Sequence, residues 1–74
     1  MLKFITGTLG EFSYRATWGR GALGIVIWEG TVYRADRLVG GPSGQLTAGD
    51  EDSADLEVRK ALEAAILGQR QFWQ

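Results

Sequence analysis

The segment Gly19-Arg-Gly-Ala-Leu-Gly24 has the G-x-G-x-x-G spacing of dinucleotide-binding loops. In that chemistry the glycines let the backbone approach a pyrophosphate, and the N-terminus of the next helix holds its charge. The next residues in this chain are Ile25-Val-Ile-Trp28, a β-prone run, then Glu29-Gly30 and a second β-prone run. The six residues therefore read as a connection between strands, and no cofactor is expected. A second candidate, Asp50-Glu-Asp-Ser-Ala-Asp55, begins like a calcium loop. Such a loop needs glycine at its sixth position and an acid at its twelfth. Asp55 and Ala61 stand there instead, so the acids read as a helix cap and no metal is expected.

Other side chains point to binding rather than to a reaction. The chain has no histidine and no cysteine. That removes the side chain that titrates near neutrality, any nucleophile–histidine pair and every His/Cys metal site. Six of the nine acids gather at Asp50–Glu63, with nothing to set two of them across a cleft. An enzyme is not expected. Aromatic residues and arginines do alternate along the first half, and Arg15, Arg34, Trp28 and Tyr33 could stack and neutralise a single strand of nucleic acid. The charge balance argues for a weaker role of this kind. Net charge is −1, with five basic and three acidic side chains in residues 1–40, and three basic and six acidic in residues 41–74.

Elements able to position these groups can be read from periodicity. Ten of eleven glycines precede residue 50 and punctuate short β-prone runs. Leu2–Thr6 reads as a first strand, with Gly7-Thr-Leu-Gly10 as a turn. Phe12, Tyr14, Ala16 and Trp18 alternate with Ser13, Arg15 and Thr17, as in a half-buried strand. Leu23–Trp28 is apolar on both faces, which puts Ile25 and Ile27 at the centre of the core. Glu29-Gly30 is expected to turn the chain into a return strand, Thr31–Val39. Gly40-Gly-Pro-Ser-Gly44 reads as a further turn and Gln45–Ala48 as a short last strand.

One helix is expected, over about 53–67. Asp52 serves as N-cap, and Val58, Ala61, Leu62, Ala65 and Ile66 form its apolar stripe. Arg59, Lys60 and Glu63 fall on the outer side, where Asp55, Arg59 and Glu63 have i,i+4 spacing. Gly68 is the expected stop. The fold class is α+β: one domain over 1–74, with an antiparallel meander of four to five strands over about 2–48. The C-terminal helix packs on one face, and an aromatic tail covers 69–74. At 45% hydrophobic and 23% charged, this is ordinary globular composition. No apolar run approaches the ~20 residues of a membrane span, and Met1–Gly7 is too short an apolar run for a secretory signal. No membrane association and a cytoplasmic location are expected.

Tyr14, then Gly24-Ile-Val-Ile-Trp28, Glu29-Gly30, Asp36 and Gly40-Gly41 occur in an order that resembles the type III secretion negative-regulator family, small lipocalin-like bacterial β-proteins. Arg34-Ala35 departs from that family's small-Gly pair before the aspartate, and a helix replaces the later barrel strands. The resemblance implies a non-catalytic protein that binds and restrains a transcriptional activator. The residues independently suggest a protein-interaction module, a small bacterial or phage regulator or adaptor. Apolar side chains at Leu56, Leu67, Phe72 and Trp73 exceed what one helix stripe can bury, and Asp50, Glu51 and Asp52 add a charged rim. The partner is a protein or a second copy, as a homodimer through a sheet edge. A single-stranded nucleic-acid-binding domain is the alternative.

Overall fold

The computed structural model describes residues 3–73. Among these, five strands precede one long helix: β1 (Lys3–Leu9), β2 (Phe12–Arg20), β3 (Ile25–Arg34), β4 (Arg37–Gly40), β5 (Ser43–Thr47) and α1 (Glu51–Gln69). Short 3-10 turns occupy Ala22–Gly24 and Arg70–Trp73. All pairings are antiparallel, in the order β1-β2-β3, with β4 and then β5 along the far side of β3. The helix packs on one face of this sheet, so the expected α+β meander with one C-terminal helix is the observed architecture. Leu2 and Gln74, included in the expected first strand and aromatic tail, lie outside the described residues.

Several boundaries differ from expectation, mostly for one reason. β1 runs on through Gly7 to Leu9 and turns at Gly10-Glu11, where Gly10 takes a φ of +62°. Glu29-Gly30 makes no turn and lies within β3. The reversal comes at Ala35-Asp36, both with positive φ (51° and 64°), which is the backbone signature of a tight two-residue hairpin turn. Gly40–Gly44 does not reverse the chain either. Gly40 pairs with Val32 and Ser43 with Glu29, and the Gly30 amide donates to the Pro42 carbonyl at 2.8 Å. β4 and β5 are thus two stretches of one edge, interrupted where proline has no amide to give.

The glycines that resemble turn residues are in fact spaces for larger side chains. A Cβ on Gly7 would stand 2.5 Å from the Tyr14 hydroxyl, and one on Gly30 would stand 3.0 Å from Leu62 Cδ1. Gly40 lies beneath the Trp73 indole, and Gly44 beside that of Trp28, at 3.2 Å. All four share the face that carries the helix.

That face holds the core. Ile5, Phe12, Tyr14, Ala16, Trp18, Val26, Trp28 and Val32 meet Ala54, Val58, Leu62 and Ile66. The register sets Trp18 opposite Trp28 and Tyr14 opposite Val32, which fixes the parity of β3. Val26 and Trp28 point inward as a result. Ile25 is only half-buried and Ile27 is exposed, contrary to the expectation that they form the core centre.

The helix begins at Glu51, two residues before the expected start. Asp50, not Asp52, is the N-cap, and its carboxylate accepts from the Ser53 amide at 2.7 Å. Hydrogen bonding to that amide, the largest cause, holds the Asp50 carboxyl below its ordinary value. Gly68 does not end the helix, which continues through Gln69 before tightening into the 3-10 turn.

Candidate interaction surface

Strand alternation divides the sheet into a covered and an uncovered face. Phe12, Tyr14, Ala16 and Trp18 of β2 lie under the helix, so Ser13, Arg15 and Thr17 point the other way. The same alternation gives the uncovered face Phe4, Thr6 and Thr8 from β1, and Ile27, Glu29, Thr31 and Tyr33 from β3. Leu38 joins them opposite Tyr33, and Ser43 and Gln45 complete the row. Phe4 is 71% exposed, Ile27 56% and Leu38 62%. A shallow depression runs across the middle of this face, lined by Phe4, Arg15, Thr17, Glu29, Thr31, Tyr33 and Ser43. Three large apolar side chains therefore stand in water on one side of a small sheet, Phe4 beside Thr17, Ile27 beside Gly19 and Leu38 beside Tyr33.

On the covered side a polar seam ties the helix to the sheet. The Trp18 indole donates to Asp55 Oδ1 at 2.7 Å. The Tyr14 hydroxyl donates to Glu63 Oε2 at 2.6 Å and accepts from Arg59 Nη1 at 3.0 Å. Arg59 also donates to the Thr6 carbonyl at 2.9 Å, giving edge strand β1 a side-chain partner. The spacing of Asp55, Arg59 and Glu63 suggests mutual ion pairs, but these side chains turn to the sheet instead. No ion pair joins them among the described residues. The space above Gly7 is what admits the Tyr14–Arg59 contact.

Burial, first, and the Glu63 hydrogen bond raise the Tyr14 phenol above its ordinary value, with Arg59 pulling the other way. The folded state thus holds this proton more tightly than the unfolded chain. The associated stability is complete below the ordinary phenol value of about 10 and is lost as pH rises through the higher folded value. Urea midpoints measured from about pH 9 to 11 should fall more for the wild type than for Tyr14→Phe. Parallel curves would show that Tyr14 does not carry the loss.

The residues singled out from the sequence separate into distinct environments. Trp28 is buried against the helix, which corrects its assignment to a base-stacking face. Arg34 is held by Glu11 at 2.6 Å near the end of β3. Of that set, Arg15 and Tyr33 reach the uncovered face. Leu56 and Leu67 are exposed on the helix, and Leu67 lines a small groove with Leu9, Phe12 and Ile66. Trp73 folds back, edge-on to Phe12 with centroids 5.9 Å apart, whereas Phe72 is 75% exposed. Asp50 is occupied as the cap, Glu51 pairs with Lys3 at 3.3 Å, and Asp52 is exposed.

Phe4, Ile27, Glu29 and Leu38 were not legible as surface residues. The alternation of Phe12–Trp18 held the needed signal, since carrying its parity across the β2–β3 pairing exposes Ile27. A turn assigned at Glu29-Gly30 breaks that parity. No protein-family model, curated protein or solved structure matches this chain.

Proposed function

We propose that this protein is a non-enzymatic protein-interaction module that binds through the uncovered face of its sheet, as a small bacterial or phage regulator or adaptor acting in the cytoplasm. The observation that carries the reading is the exposure of Phe4, Ile27 and Leu38 together on that face. Covering them removes apolar surface from water at about 25 cal/mol per Å². The absence of histidine and cysteine from the sequence supports a binding role over a catalytic one. The likeness to the type III secretion negative-regulator family favours the same class, a protein that acts by holding another.

A triple variant, Phe4→Thr/Ile27→Thr/Leu38→Thr, tests the surface against a helix-side control, Leu56→Gln/Leu67→Gln. A partner held by the wild type should be lost with the first and kept with the second. The reverse result would move the interface to Leu56, Leu67 and Phe72. A second reading, single-stranded nucleic-acid binding, draws on Arg15 and Tyr33 sharing that face. It requires a labelled oligonucleotide to bind at low salt and to dissociate as salt rises.

A further inference from the structure

The uncovered face has a charge pattern that favours one particular occupant. Alternation gives it two charged side chains, Arg15 and Glu29, both exposed. Arg15 lies opposite Thr31 and Glu29 opposite Thr17, so the two are diagonal neighbours on adjacent strands β2 and β3. Diagonal positions are about 7–8 Å apart. No ion pair links them among the described residues, where the pairs are Lys3–Glu51, Arg34–Glu11 and Lys60–Glu57. The centre of the face is thus electrically neutral but polarised. A nucleic acid would meet Glu29, and a strongly acidic or basic partner would be attracted at one corner and repelled at the other.

A second copy of the same face meets both charges correctly. A two-fold axis lying between the faces, along the Thr17–Thr31 diagonal, brings each Arg15 over Glu29 of the second copy. Resting on the interaction reading above, we propose that the uncovered face is closed by a second copy of this chain, packed face to face, with two symmetry-related Arg15–Glu29 pairs at its centre. Phe4, Ile27 and Leu38 then leave water in both copies, and the short threonines between them permit the ~10 Å spacing of packed sheets. The diagonal axis crosses the strands of the two copies at about 70°, so the faces overlap over roughly four strand positions in each direction, a compact contact smaller than the ~800 Å² per partner of a standard interface. The contact is isologous, so it closes at two copies.

Sedimentation equilibrium of the full chain tests this. The wild type should be a dimer at micromolar concentration. Arg15→Glu and Glu29→Arg should each weaken it by about tenfold or more, because symmetry turns both cross-pairs repulsive. The exchanged double variant Arg15→Glu/Glu29→Arg should recover dimerisation to within about threefold of wild type. Because the chain lacks cysteine, Thr17→Cys provides an independent reading that needs no charge reversal. Near the axis it should be joined to its own copy by a short bis-maleimide, which spans the gap between packed sheets that a disulfide cannot, while Leu67→Cys should not. A monomeric wild type at millimolar concentration overturns the proposal, as does a dimer indifferent to both single reversals. If such a monomer still loses a separate protein partner through the Phe4/Ile27/Leu38 variant, the second copy is rejected and the interaction reading survives.

Discussion

Leu62→Asp is expected to abolish cooperative unfolding altogether, leaving a chain with no thermal transition by circular dichroism. Leu62 is fully buried at the middle of the helix stripe and lies directly over Gly30 of β3. A carboxylate there has no hydrogen-bond donor among the apolar side chains around it and must either protonate or expel the helix. Even Leu62→Ala should cost about 2–5 kcal/mol through lost transfer energy and the cavity left behind. A chain of this length has a margin of roughly 4–11 kcal/mol at about 0.05–0.15 kcal/mol per residue. The milder change therefore removes a large share of the stability and the harsher one all of it. A Leu62→Asp protein melting like the wild type would disprove the helix placement.

Trp18 is the second position where one side chain decides the outcome. It is the largest fully buried residue, it lies opposite Trp28 in the ladder, and its indole nitrogen reaches Asp55 on the helix. Trp18→Ala should lower stability by about 3–5 kcal/mol. Trp18→Phe keeps much of the volume and removes the hydrogen bond, a contribution of about 1 kcal/mol, so its deficit should be clearly smaller than that of Trp18→Ala. Urea midpoints of both variants and of Asp55→Ala would check the assignment. If Trp18→Ala behaved like an exposed substitution, the core as described would be wrong.

The fold class was readable because its signals are local. Strict alternation from Phe12 to Trp18 specifies a one-sided strand, and the spacing of Val58, Leu62 and Ile66 specifies a helix with one buried stripe. The errors arose where a residue type has two physical uses. Glycine marks turns when the backbone needs it and marks strands when a neighbour needs space, and Gly7, Gly30, Gly40 and Gly44 belong to the second case. The β3–β4 turn carries no glycine at all, since Ala35 and Asp36 take the left-handed conformation themselves. Ile25 and Ile27 illustrate a further limit. On a strand apolar on both sides, only the register with the neighbour decides which side is inside. The binding surface inherits that difficulty, because Ile27 becomes a surface residue only once Trp28 is known to be buried.

The seam between Trp18, Tyr14 and the helix also has a bearing on the order in which the chain assembles. Each strand pairs with a near neighbour along the chain, whereas the Trp18–Asp55 and Tyr14–Glu63 bonds join residues 37 and 49 positions apart. Closing those longer loops costs more chain entropy than zipping successive hairpins. We expect the β2–β3 hairpin to form early and the helix to dock late, so that weakening the seam speeds unfolding and leaves the folding rate nearly unchanged. Stopped-flow measurements on Asp55→Ala and Tyr14→Phe would show it, and a slowed folding limb would reverse the order. On that view the helix works as a latch whose release returns the sheet to two open faces, and the lifetime of the folded protein is set by how long Asp55, Arg59 and Glu63 keep hold of β1 and β2.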